Sequence, residues 1–396
     1  MKVLIVDEEV PWPLNTGKRL RTYNLVQRLQ KNHTITYLCY GEPGMVLPEC
    51  PNVTLVALPS PVLEQKGVRF YAALLANLCS PRPYIVDRHY SRALAEKALS
   101  LHAADPFDLV HCEWTPYTEN LRGLFGRLPA VLSAHNVEAQ IWERYYQAES
   151  NLLKKIYIRI QWQKLLRYEA EAARLYSTVT AVSEPDREIF IRQYGCRHVA
   201  VVPNGVDEKY FAPLQAQVQP GSMVFTGSMD WRPNQDGVKY CIEEIFPLIK
   251  QRIPAATLTV VGRKPPQWLA ALAGQVEGVT VTGTVDDVRP YIANSALYIV
   301  PLRVGGGSRL KILEAMGMAK VVLSTSVGAE GLDVSDGTDI ILRDTPQEFA
   351  DAACRVLNDP DGHAGYGQSG RALILRSYTW DAIAGVMADV WERARD

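Results

Sequence analysis

The sequence predicts an α/β protein built from two doubly wound parallel sheets, and three observations predict it. Short apolar runs alternate with helical stretches along the chain, the pattern of strands covered on both faces by helices. The runs form two series, separated by a polar segment, residues 211–221, that is bracketed by Pro213 and Pro220. A length of 396 residues is long for one core and suits two of about 150–200 residues each.

The first series opens with residues 2–7, where Val3 to Val6 reads as a buried strand closed by Asp7, Glu8 and Glu9. A polar loop with Pro11, Pro13 and Gly17 leads to a helix near residues 18–29. Further strand-like runs lie at 34–40, 53–58, 108–112, 130–134, 178–182 and 198–202. The second series comprises 223–226, 256–261, 279–282, 296–300, 321–323 and 340–342. Residues 151–176 set Lys154, Lys155, Arg159, Lys164 and Arg167 among Leu, Ile, Trp and Tyr on nearly all sides. A long helix partly buried on the first sheet accounts for this pattern, and a basic surface resting on anionic lipid is the alternative.

Composition excludes several function classes. The chain is 47% hydrophobic and 21% charged, with 42 basic and 43 acidic residues, so nothing global favours nucleic acid. Seven cysteines are scattered without a Cys-x-x-Cys pair, which predicts reduced thiols in a cytoplasmic protein, with no disulfide framework or zinc site. The first apolar stretch is too short and too acidic for a signal peptide, and no apolar run reaches the roughly 18 residues of a membrane span. No Gly-x-Gly-x-x-Gly follows the first strand, Gly17-Lys18 is followed by Arg19, and the Asp359-Pro360-Asp361 triplet falls in a late turn. Dinucleotide and P-loop chemistry therefore lack their signatures, and no essential metal is expected.

The most informative run is residues 301–317, in which an apolar strand enters Gly305-Gly306-Gly307 and a helix is expected from Ser308. Glycines admit a ligand to the backbone, and the free N–H groups of a first helical turn form an anion site. Arg309 and Lys311 add mobile positive charge, and Glu314 supplies a carboxylate that can accept hydrogen bonds from a diol. Together these suit a nucleotide diphosphate joined to a ribose; a strand–helix turn that is merely glycine-rich accounts for the same spacing.

This run, followed by Lys320 to Thr325 and by Gly328-Ala329-Glu330-Gly331-Leu332, resembles the donor-binding segment of the retaining glycosyltransferases of family 4, in the branch that builds bacterial exopolysaccharides and surface glycans. The resemblance implies a GT-B fold, two Rossmann-like domains facing across a cleft, with nucleotide-sugar donors and a helix near 379–393 that returns to the first domain. Members usually carry two glutamates eight residues apart; Glu314 matches the second, and Gly306 stands where the first would be. The implied divisions are residues 1–212 on the acceptor side, 213–376 for the nucleotide sugar and 377–396 for the returning helix.

Other positions follow from strand ends, where open α/β sheets bind ligands. Gly17, with Lys18 and Arg19, ends the first strand–helix loop, where the family faces donor phosphates and acceptor. His135 ends the strand 130–134; a lone histidine is commonly structural, but the resemblance gives this loop a histidine that contacts the transferred sugar. Glu113 ends the strand 108–112, at a position to meet an acceptor hydroxyl. Asn204-Gly205 reads as a turn. Gly227 ends the first strand of the second series and admits phosphate. The family's following Arg and Lys are absent there, which leaves Arg232, Arg309 and Lys311 as substitutes, with Arg263 at the base loop.

The sequence therefore predicts a glycosyltransferase moving a sugar from a nucleotide diphosphate-sugar to a glycan, lipid-linked or small-molecule acceptor. His135, Arg309 and Lys311 are the catalytic candidates. Gly17, Gly227, Arg232, Arg263, Gly306, Gly307, Ser308 and Glu314 bind donor, and Lys18 and Glu113 lie on the acceptor side. No cofactor beyond the co-substrate is expected. An epimerase or hydrolase on the same fold and a catalytically inactive nucleotide-sugar-binding subunit are the alternatives. The expected location is cytoplasmic, and the alternative reading of residues 151–176 adds peripheral contact with the inner face of the membrane.

Overall fold

The computed structural model describes residues 1–42, 44–60, 67–304 and 309–395. They form two compact units, Met1–Pro203 with Ile383–Asp396, and Asn204–Ala382. The division thus falls at Pro203, ahead of the polar segment 211–221, because Val206 is buried in the second core and a Cβ on Gly317 would lie 3.0 Å from the Phe211 carbonyl.

The first unit is a parallel sheet of seven strands: β1 (Lys2–Glu9), β2 (Thr34–Tyr40), β3 (Val53–Leu58), β4 (Leu109–Cys112), β5 (Ala130–Ser133), β6 (Thr178–Ala181) and β7 (Val199–Val201). Their order is β3-β2-β1-β4-β5-β6-β7. Strand alternation divides β1 between two cores. Leu4 and Val6 pack with Leu94, Tyr117 and Phe190. Val3 and Ile5 pack with Val26 and Leu29 of the helix Gly17–Leu29, and with Ile383, Met387 and Trp391. The last three lie on the helix Trp380–Arg395, so the chain's end returns to the first sheet.

The expected long helix runs Leu152–Ala173, with the Asn151 side chain accepting from the Lys154 N–H. Its second half buries Gln161, Leu165, Tyr168, Glu169 and Ala172, one stripe at helical spacing. Its first turns instead leave Leu152 and Leu153 71% and 79% exposed.

The second unit is a parallel sheet of six strands: β8 (Gln219–Thr226), β9 (Thr257–Val261), β10 (Val279–Val281), β11 (Ser295–Val300), β12 (Val322–Ser324) and β13 (Ile341–Leu342). They run β10-β9-β8-β11-β12-β13. One core joins Phe225, Val260, Ile299, Met316 and Phe349. All seven cysteines are unpaired and only Cys79 is exposed. No helix among the described residues is long and apolar enough to cross a membrane.

Candidate active site

Each sheet reverses its strand order once, at β1/β4 in the first unit and at β8/β11 in the second. A crevice opens beyond the carboxyl ends of strands at such a point, because the helices that follow diverge to opposite faces. The functional candidates gather at these two edges.

In the first unit, β1 carries Asp7 near its carboxyl end, 1% exposed. Asp7 accepts from the Tyr37 hydroxyl at 2.5 Å and pairs with Lys18 Nζ at 2.7 Å. Lys18 also reaches Glu8 at 3.2 Å and lies 5.5 Å from the Trp114 ring centre. Burial alone would lower the Lys18 pKa, yet Asp7 and Glu8 hold it above the usual range. Burial likewise opposes ionisation of Glu8, but His89 and Lys18 bring it down to about 2. Gly17 is the exposed first residue of its helix, after Thr16, whose hydroxyl accepts from the Arg19 N–H at 3.2 Å. Arg19 itself is paired with Glu9.

Beyond β4 and β5 lies a buried chain of polar groups. Glu113, 2% exposed, meets His111 Nε2 at 3.1 Å with one oxygen and His135 Nε2 at 2.9 Å with the other. Trp391 Nε1–H donates to His111 Nδ1 at 3.0 Å. Burial pushes the Glu113 pKa up, but hydrogen bonds from His111 and His135 prevail and keep it well below the usual carboxylate range. The helix Glu138–Ala148 starts just past His135. Its first N–H groups, of Glu138 and Ala139, donate to Glu169 at 2.9 and 3.0 Å, which satisfies donors that a helix start leaves open.

In the second unit, Gly227 directly follows β8, at a point where backbone and side chains pack closely. A Cβ there would sit 2.8 Å from Lys311 Nζ and 2.9 Å from Asn234 Nδ2, and one on Gly262 would overlap the Gly227 carbonyl at 1.8 Å. Lys311 Nζ donates to Asn234 Oδ1 at 2.7 Å, and Asn234 Nδ2 donates to the Ser228 carbonyl at 2.8 Å. Burial brings the Lys311 pKa down to about 7, with Glu314 opposing the shift and Arg309 adding to it. Burial brings Glu314 up to about 7, only partly offset by Lys311. Lys311 and Glu314 are one turn apart on the helix Leu310–Gly317.

Two sequence matches decide what this arrangement belongs to. Residues 17–210 match Glycosyltransferase Family 4, and residues 220–359 match Glycosyl transferases group 1. The chain belongs to the GT-B glycosyltransferases. It is 24% identical to alpha-maltose-1-phosphate synthase of Mycolicibacterium smegmatis, over 99% of both chains. It is 20% identical to an uncharacterized 44.6 kDa protein in the cps region of Klebsiella pneumoniae, over 88% of this chain and 89% of that one. Among solved structures it is similar to sucrose-phosphate synthase from Thermosynechococcus elongatus, with a TM-score of 0.72, 17% identity and 99% and 98% of the two chains covered. It is also similar to Anabaena HepE in complex with UDP and glucose, with a TM-score of 0.67, 16% identity and 99% of each chain covered.

The glycosyltransferase brings Gly227, Lys311 and Glu314 together and sets other candidates apart. Arg309 carries no mobile charge: it is 7% exposed and its guanidinium meets Glu330 Oε2 at 3.1 Å. The described helix begins at Leu310, with Arg309 as its cap. Gly306, Gly307 and Ser308 lie outside the described residues. Arg232 is the exposed first residue of the helix Arg232–Tyr240. Arg263 donates to the Ser228 hydroxyl at 2.7 Å beside Gly227. Glu113 has both oxygens engaged in the interior, and these bonds, not an acceptor hydroxyl, account for its position. Lys18 is held by two carboxylates. Sequence reasoning gave no role to Asn234, His111 or Trp391. Nothing local links His111 to a tryptophan 280 residues away.

Proposed function

We propose that this glycosyltransferase moves a sugar from a nucleoside diphosphate-sugar to a glycan, lipid-linked or small-molecule acceptor, with retention of anomeric configuration, in surface-glycan assembly. One observation carries the donor assignment. Lys311, fixed by Asn234 against Gly227, shares the β8/β11 edge with Glu314. A diphosphate arriving there returns Lys311 to its charged form, because anionic oxygens offset what burial disfavours. As the sugar–phosphate bond breaks, charge grows on the leaving diphosphate. A dry cation and helix N–H groups stabilise it, at about 3–4 kcal/mol for a well-placed donor. Glu314 suits the ribose hydroxyls, and His135 is assigned to the transferred sugar. HepE, which binds UDP and glucose, makes UDP-sugars the first donors to try. The reading assigns a nucleotide sugar as co-substrate and no resident metal.

The supporting experiment is calorimetry with UDP, GDP, ADP and dTDP, followed by turnover and proton NMR of the product anomer. One nucleoside diphosphate binding well below millimolar is expected, and none binding would sink the donor assignment. His135→Ala should cut turnover roughly tenfold to a thousandfold while nucleotide affinity holds. Peripheral membrane contact is proposed at the first turns of the helix Leu152–Ala173, where exposed Leu152, Leu153 and Ile156 stand beside Lys154 and Arg159. Cosedimentation with vesicles containing phosphatidylglycerol, and not with pure phosphatidylcholine, is the expected result.

A further inference from the structure

The buried polar chain in the first unit fixes more than a position. An indole nitrogen can only donate, so Trp391 makes His111 Nδ1 the bare, accepting nitrogen. A neutral His111 then carries its proton on Nε2, which donates to Glu113 Oε1. Glu113 Oε2 remains for His135, and an ionised carboxylate is acceptor-only, so His135 Nε2 must hold a proton to make its bond. His135 Nδ1 has no hydrogen bond to the described residues.

We propose that Trp391, His111 and Glu113 form a positioning relay that holds His135 as its Nε2–H tautomer, with Nδ1 as the nitrogen presented to substrate. The second ring nitrogen of a histidine is set by what the first one bonds, and a buried carboxylate fixes tautomer and ring direction together. Trp391 belongs to the chain's last helix, whose Ile383, Met387 and Val390 pack against Val3, Ile5 and Leu29. That helix therefore contributes a specific proton donor to the relay as well as apolar surface. None of the three relay groups needs to touch substrate, and only His135 would be catalytic.

The relay predicts a tautomer change that ordinary packing does not. In Glu113→Gln, the amide oxygen still accepts from His111 Nε2–H, and the amide nitrogen then faces His135 Nε2. That nitrogen becomes the acceptor, and the proton moves to Nδ1. Long-range proton–nitrogen NMR on the full chain with 15N-histidine, assigned by the peaks missing in His135→Ala, reads this directly. The parent should show Nε2–H at His135 and the Gln variant Nδ1–H. An Nδ1–H parent, or an unchanged tautomer in a folded Gln variant, would overturn the relay.

Trp391→Phe removes the indole donor and leaves a smaller aromatic ring in the same buried site, which gives a second route if the Gln variant does not fold. His111 should then exchange between tautomers; spectra identical to the parent would overturn the proposal. Turnover, whose interpretation rests on the transferase reading, should fall about tenfold or more in Trp391→Phe, with donor KM within twofold. The NMR measurement needs no substrate, so failure to find a donor and failure of the relay are separate results.

Discussion

The two sheet edges share a topology and treat charge in opposite ways. At the β1/β4 edge nearly every ionic group is matched: Lys18 by Asp7 and Glu8, Arg19 by Glu9, Glu113 by two histidines. At the β8/β11 edge, Lys311 and Glu314 are desolvated without full compensation, and burial brings both to about 7. A matched network holds its geometry before substrate arrives. A pair left short of charge is destabilising when empty and gains most from a charged ligand. On the proposed function, the first edge would orient a histidine and the second would receive phosphate. This difference is what the following variants break or sharpen.

The largest expected effect is on the matched edge. Lys18→Met strands Asp7, whose side chain is 2% exposed, and breaking a buried pair on one side costs about 3 kcal/mol or more. Thermal unfolding should show that loss, while nucleoside diphosphate affinity of the folded fraction stays unchanged. A stable Lys18→Met protein that fails to bind nucleotide would erase the distinction between the edges.

Lys311→Met should do the reverse. Losing a charge-assisted contact should weaken nucleoside diphosphate binding by about 2–3 kcal/mol in calorimetry. Its effect on the empty protein has a definite sign. The folded Lys311 pKa, about 7, lies below the ordinary 10.5, so the unfolded chain binds the extra proton. The resulting penalty is full below pH 7 and fades as pH rises toward 10.5. Without nucleotide, Lys311→Met should therefore melt higher than the parent at pH 6 and draw level above pH 10. The carboxylate mirrors this: folded Glu314 lies at about 7 against 4.5, so its penalty is full above pH 7 and fades as pH falls toward 4.5. Glu314→Gln should melt higher at pH 8 and level with the parent below pH 4.5. A lower melting point for both variants at these pH values would mean that the site is not electrostatically unsatisfied.

The contrast also shows what can be read from sequence. Thr34–Tyr40 coincides with its expected run and Ser295–Val300 contains the run 296–300, because burial on both faces writes itself into a continuous local pattern. His135 and Gly227 stand just past the ends of their strands, as the apolar runs before them predict. The partners were not legible. Arg309 is neutralised by Glu330, and Glu113 is enclosed by His111, whose other nitrogen meets Trp391. Each pairing depends on strand order and helix return, which bring together residues whose neighbours in sequence give no sign of it. The three-glycine run shows the same limit from the other side: its composition predicts an anion site flanked by two mobile cations, yet only Lys311 lies at Gly227, while Arg309 pairs with Glu330.

The smallest expected effect tests whether exposed charge at the second edge matters in its own right. Arg263 is 54% exposed in its side chain, with Asp230 at 3.9 Å, and its Nε is engaged by the Ser228 hydroxyl. Arg232 is exposed as well. Solvated charges attract phosphate only within a Debye length of about 8–10 Å near physiological salt, and exposed pairs contribute little. Arg263→Ala and Arg232→Ala should each weaken nucleoside diphosphate binding by less than about threefold at low salt, and the difference should vanish near 0.5 M salt. Lys311→Met should keep most of its deficit there, because a desolvated contact is poorly screened. Calorimetry across a salt series separates the two behaviours. If either arginine variant loses as much as Lys311→Met and keeps that loss at high salt, the diphosphate is gripped at the exposed rim. The unsatisfied pair beside Gly227 would then need another occupant.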